Sequence, residues 1–108
     1  MAQEKIFENK IKKYIKDNGG YCVKYFGCNY STSGTPDILA CIHGHFLAIE
    51  VKGYRGIPSE LQLYKIKQIR EAGGFAYVAY PTGWERLKDI IDGLLIDKFS
   101  REEDVILK

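Results

Sequence analysis

Gly34-Thr35-Pro36-Asp37, followed thirteen residues after the aspartate by Glu50-Val51-Lys52, frames the stretch that decides the fold. Asp37 to Ile42 is an apolar, strand-like run, and Phe46 to Val51 is a second. Gly44, between His43 and His45, supplies the tight turn that joins them as a hairpin. Folding back at Gly44 sets Asp37 opposite Glu50 to Lys52. Strand side chains repeat every two residues, so Glu50 and Lys52 point to one face. The hairpin therefore carries one acid at a strand entrance, a second on the partner strand, and a lysine beside it. His43 and His45 fall at the other end and read as exposed neighbours of the turn, not as ligands.

Clustered like charges on an apolar strand need a partner. Ala48, Ile49 and Val51 mark the Glu50 strand as an inner one, where a buried carboxylate must be paired or bound to a cation. An aspartate after proline is also a common turn residue, and Glu-X-Lys a common solvated strand face. The company these elements keep favours chemistry. Mg²⁺ takes hard oxygen ligands, often one or two carboxylates together with a substrate phosphate. Asp37 and Glu50 supply two, and the backbone carbonyl of Val51 is a third candidate. Such a cation lowers the pKa of bound water and offsets charge on phosphoryl oxygens. Lys52 is placed to orient the attacking water or stabilise the pentacovalent transition state.

These residues resemble the PD-(D/E)XK nuclease signature. The wider strings Gly34-Thr35-Pro36-Asp37-Ile38, Glu50-Val51-Lys52-Gly53 and Ser59 to Gln62 are similar to the virus-type replication-repair nuclease family (VRR-NUC), whose small stand-alone members come from bacteriophages. The resemblance spans Glu4 to Tyr80. It implies a restriction-endonuclease-like fold and Mg²⁺- or Mn²⁺-dependent DNA cleavage that leaves 5′-phosphate and 3′-hydroxyl ends. It also implies action on branched DNA such as four-way (Holliday) junctions, usually by a homodimer, and a cytoplasmic setting (a host's, for a phage protein). By the same resemblance Glu8 is a further acid near the metals, directly or through water. Gln62 matches the family's glutamine after Glu-X-Lys, in contact with the site or the scissile phosphate.

Both residues have bland readings too. Glu8 lies on the apolar side of a predicted helix from Gln3 to Asp17, with Ile6, Phe7, Ile11, Tyr14 and Ile15. It can snorkel to solvent from there. Gln62 stands at capping-box spacing from Ser59, at the start of a helix that ends at Gly73-Gly74.

Around these lie a strand from Tyr21 to Phe26, a polar segment from Gly27 to Thr35 with no assignable role, and a loop from Gly53 to Ile57. Phe75 to Tyr80 is a further strand, and a last helix runs from Trp84 to about Lys98. The order α-β-β-β-α-β-α, with a crossover long enough for a parallel connection, predicts an α/β domain: a mixed sheet flanked by helices.

Composition agrees. The chain has 108 residues, enough for one core over residues 1–108, and no apolar run of membrane-spanning length. Cys22, Cys28 and Cys41 form no Cys-X-X-Cys pair and read as reduced thiols. Residues 1–83 hold 11 of the 16 basic and 7 of the 14 acidic side chains, so the site-bearing part is the positive one. Lys10, Lys12, Lys13 and Lys16 cluster on the first helix, and Lys65, Lys67 and Arg70 on the second. Lys12 and Lys65 are candidates for phosphate contact, and Tyr54 and Arg55 for DNA contact from a glycine-flanked loop. Phe99, Val105, Ile106 and Leu107 are candidates for a dimer surface. Nuclease action on flaps, linear ends or RNA, and a non-catalytic accessory role, remain open alternatives.

Overall fold

The computed structural model describes residues 2–27, 33–98 and 102–108. In chain order come helix α1 (Ala2–Asp17), strands β1 (Tyr21–Lys24), β2 (Ile38–Ile42) and β3 (His45–Val51), helix α2 (Glu60–Glu71) and strand β4 (Phe75–Ala79). A 3-10 turn (Pro81–Gly83), helix α3 (Trp84–Leu95) and strand β5 (Ile106–Leu107) complete it. The strands build one sheet in the order β1-β2-β3-β4-β5, antiparallel through β3 and parallel from β3 to β5. The expected mixed sheet is present, with one more strand than the sequence suggested. Most of the polar segment before Asp37, Cys28 to Thr32, lies outside the described residues.

Phe7, Ile11 and Ile15 recur every fourth residue, so α1 buries one stripe against the sheet. Glu8 is on that stripe. Ile6, expected there, is 69% exposed, because one residue's rotation turns it off the buried face. The helix stops where Gly19 takes a left-handed φ of +86°. The hairpin turns through His43 and Gly44, both at positive φ (48° and 83°), and pairs Ile42 with His45. A two-residue loop of this kind matches the twist of the flanking strands.

Alternation along β3 then sorts the sheet into two faces. Leu47, Ile49 and Val51 join Ile38, Ala40 and Ile42 in a core sealed by α1 and by Leu87, Ile91 and Leu94 of α3. Ala48 faces the other way and packs with Ala76, Val78 and Tyr80 beneath Ile66 of α2. Glu50, two residues on, shares the α2 face. Both β3 and β4 are paired on each side, and such doubly covered strands read as continuous apolar runs.

The C-terminal tail corrects one expectation. Leu107 is fully buried in the chain's own core and so is not available as a dimer surface, while Val105, partly buried, packs against the cluster under α2. Ile106 is partly exposed, and Phe99 lies outside the described residues. The physical reason is the free edge of β4, whose N–H groups the tail satisfies: Val78 donates to Val105 at 2.8 Å and Tyr80 to Leu107 at 3.0 Å. A two-residue strand has too little periodicity to stand out in the sequence. Helix α3 ends at Leu95, short of Lys98.

The close seat of β5 needs a glycine beneath it. A Cβ on Gly83 would overlap the carbonyl group of Leu107. Gly83→Ala should displace the tail and lower stability by about 2 kcal/mol or more, read as a fall in the urea midpoint against the unaltered protein.

Candidate active site

Ile38 pairs with Ile49, and the next step of that register sets Asp37 across from Glu50. Asp37 is anchored at the sheet end by its own backbone, whose carbonyl accepts from the Tyr25 N–H at 2.7 Å. Its Oδ2 accepts from the Val51 N–H at 2.9 Å. In an extended strand the N–H and C=O of one residue point to the same side, so the Val51 carbonyl is turned toward the Asp37 side as well.

Glu50 is 3% exposed, on a strand with no slack to move it. Its Oε2 accepts from Gln62 Nε2 at 3.0 Å and lies 3.5 Å from Lys52 Nζ. No donor reaches its buried Oε1, while Asp37 lies close enough to share the proton of the neutral Glu50 carboxyl. Burial first, then the negative charge of Asp37, push the Glu50 carboxyl up to about 8 against the pull of Lys52. A buried orphan oxygen beside a second carboxylate is the chemistry a divalent cation satisfies. Among the described residues no trio of His, Cys, Asp or Glu side chains forms a ready cation cage. Two carboxylates, a carbonyl, waters and substrate phosphate are nonetheless a donor set that suits Mg²⁺ or Mn²⁺.

The two readings of Gln62 turn out to be one arrangement. Ser59 caps α2 by accepting from the Gln62 N–H at 3.1 Å, and Gln62 Oε1 accepts from the Ser59 N–H at 2.9 Å. With its oxygen committed to the cap, the amide must present Nε2 to Glu50. The capping box thus orients the group that holds the buried acid.

Glu8 is 4% exposed and does not reach solvent by snorkelling. Three ammonium groups surround it: Lys24 at 2.9 Å, Lys12 at 3.3 Å and Lys5 at 3.4 Å. Burial raises its pKa, and the three lysines outweigh this, leaving it below the ordinary value. Lys24 also lies 3.2 Å from Asp37 Oδ1, so it links the two acids. Burial alone would lower the Lys24 pKa, and the pull of Glu8 and Asp37 leaves it raised. Sequence reading passed over Lys24. The available signal was its position at the exit of β1, paired with Ile38 and therefore beside Asp37.

The remaining candidates spread around this centre. Tyr54 and Arg55 are exposed in the loop after Lys52, beside a cleft of about 540 Å³ lined also by Ala2, Gln3 and Glu4. That loop is tied down by Tyr80, whose hydroxyl donates to the Gly56 carbonyl at 2.6 Å. Lys12 is engaged with Glu8, and Lys65 is half-buried on α2. Arg70 is a structural residue: it donates to the carbonyls of Ala76 and Glu102, holding the C-terminal segment, and its guanidinium lies over the Tyr77 ring.

The elevated Glu50 pKa has a stability consequence. Between the ordinary value of 4.5 and about 8 the folded chain keeps a proton that the unfolded chain has lost. Stability of the metal-free protein therefore falls as pH rises through that window. Glu50→Gln cannot ionise and lacks this slope. Urea unfolding in EDTA should show it gaining about 4 kcal/mol on the unaltered protein between roughly pH 5 and pH 9. Parallel pH profiles of the two proteins would contradict the buried-acid account.

Comparison with known proteins bears on the same arrangement. The sequence model of the archaeal Holliday junction resolvase (Hjc) family matches residues 2–105. Among solved structures, that of Archaeoglobus fulgidus Hjc, a Holliday junction resolvase from an archaeal hyperthermophile, is similar with 28% identity and a TM-score of 0.53. The alignment covers 68% of this chain and 63% of that one, so the chain spans under two thirds of its solved relative. No curated protein sequence matches. The fold is accordingly of the restriction-endonuclease-like class, and the PD-(D/E)XK superfamily resemblance carried by Asp37, Glu50 and Lys52 agrees with it. With the match running over nearly its whole length, the chain belongs to the archaeal Holliday junction resolvase (Hjc) family.

Proposed function

We propose that this chain is a divalent-metal-dependent endodeoxyribonuclease that cuts branched DNA of the four-way-junction kind. The observation that carries the reading is the buried Glu50 oxygen left without a donor beside Asp37 and Lys52. Membership of a family named for Holliday junction resolution gives the substrate class. When bound, Mg²⁺ or Mn²⁺ would supply an activated water and offset charge on the phosphoryl oxygens. Asp37, Glu50 and the Val51 carbonyl would hold that ion.

The side chains then divide the work. Gln62 keeps Glu50 aimed into the site, and the Val51 N–H keeps Asp37 there. Lys52, its ammonium drawn to Glu50, faces the same pocket and stabilises negative charge that develops on the scissile phosphate. Glu8 acts from behind through Lys24. Tyr54 and Arg55 extend the surface from the neighbouring loop, by stacking and by phosphate contact, with Lys12 and Lys65 adding positive charge on either side. Hydrolysis leaves 5′-phosphate and 3′-hydroxyl ends.

The chain is read as one nuclease domain, and symmetric cutting of a junction calls for two copies, hence a homodimer. The finer kinship with the virus-type VRR-NUC branch, and a bacteriophage source, rest on the Gly34–Ile38, Glu50–Gly53 and Ser59–Gln62 strings. No helix among the described residues is long and apolar enough to cross a membrane. A DNA substrate suits a cytoplasmic place, as do Cys22 and Cys41, which are unpaired among the described residues.

Labelled four-way junctions, flaps, splayed arms and linear duplexes, incubated with Mg²⁺, Mn²⁺ or EDTA, test the reading. Paired symmetric cuts in the junction are expected, abolished by EDTA. Asp37→Asn and Lys52→Ala should each reduce them by about 10²–10³-fold. Cutting indifferent to branching would keep the chemistry and remove the junction assignment. Salt-sensitive binding of DNA without scission would favour an accessory role.

A further inference from the structure

Both oxygens of Asp37 are engaged within the chain. Oδ2 takes the Val51 N–H at 2.9 Å, and Oδ1 takes the Lys24 ammonium at 3.2 Å. A cation that uses this carboxylate therefore meets a positive charge already in place. Lys24 is not held there to neutralise Glu8 alone. Lys5 and Lys12, one turn either side of Glu8 on α1, already bring their ammonium groups within 3.4 Å and 3.3 Å of it. Of the three lysines, Lys24 alone is also paired with Asp37 among the described residues. Glu8 in turn grips Lys24 at 2.9 Å from a rigid, buried position on α1, and the Phe26 ring lies 6.0 Å from the same ammonium. The lysine is thus clamped, with its charge bearing on one oxygen of the acid.

We infer that Lys24 is an internal counter-ion of the site: a positioning residue that holds Asp37 in its ligating orientation without metal and raises the cation concentration needed to fill the site. Glu8 serves as its anchor. The inference rests on the reading of Asp37 and Glu50 as cation ligands and goes beyond it, because it predicts the sign of an effect that loss of structure does not produce. Removing the Lys24 charge relieves repulsion toward the incoming cation, while the Val51 N–H still orients Asp37. Loosening the site would instead weaken binding.

The test is calorimetric titration of the DNA-free protein with Mn²⁺, and separately with Ca²⁺, alongside thermal unfolding in EDTA. Lys24→Met should bind Mn²⁺ about tenfold more tightly than the unaltered protein and unfold at a lower temperature in EDTA. Lys24→Gln is a second neutral variant, used where the methionine variant does not fold. Lys24→Arg keeps the charge and should bind within about twofold of the unaltered protein. Asp37→Asn should abolish the heat of binding. Unchanged or weaker Mn²⁺ binding by the folded neutral variant, with the unaltered protein binding normally, would overturn the counter-ion role and leave the cation site standing. Absence of Mn²⁺ uptake by the unaltered protein would overturn the cation site itself, and this role with it.

Discussion

Two carboxylates are set opposite each other at one end of a sheet, one of them almost fully buried, and the rest of the structure answers to that constraint. Desolvation and mutual repulsion both work against the charged forms. Every group nearby reads as a response: the Val51 N–H and Lys24 on Asp37, Gln62 and Lys52 on Glu50. One Glu50 oxygen stays unanswered. A group left so costly in the folded chain is where, on the proposed reading, a cation would gain most. A well-packed apolar pair in the same place would make a more stable fold and an inert one.

Such an arrangement holds only on rigid supports. Glu50 stands on β3, which is paired along both edges, so relaxing the acid outward would break a ladder. The parallel crossover from β3 to β4 returns the chain as α2, whose first turn lies over Glu50 through Gln62. Free N–H groups at a helix start favour negative charge, so the placement eases the burial of the acid. Gly34 makes this approach possible, since a Cβ there would press into Leu61 of α2.

The opposite end of the hairpin is tied for a different purpose. His43 Nε2 and His45 Nε2 lie 3.0 Å and 2.6 Å from the two oxygens of Asp97, just past α3. The His45 hydrogen bond foremost holds the Asp97 carboxyl below its ordinary range. The turn is thereby joined to the last helix, while the acids sit at the open end. One end of β2 and β3 is locked by the Asp97 contacts, and the other holds the paired acids.

Much of this was legible in the chain alone. Period-two alternation with a glycine turn announced the hairpin and set Asp37 opposite the stretch from Glu50 to Lys52, because strand geometry converts spacing directly into position. The Ser59–Gln62 spacing announced the start of α2, and the apolar stripe of α1 announced a carboxylate on its buried side. What the sequence could not decide is which distant groups meet. Lys24, Glu8 and Asp37 are separated by sixteen and thirteen residues and converge only when α1 packs on the sheet. That Gln62 caps and contacts at once needs α2 laid over β3. That Leu107 belongs to the core needs the open edge of β4. Local periodicity is written in neighbouring residues; charge networks and edge pairing are set by long-range packing, which no short window of sequence contains.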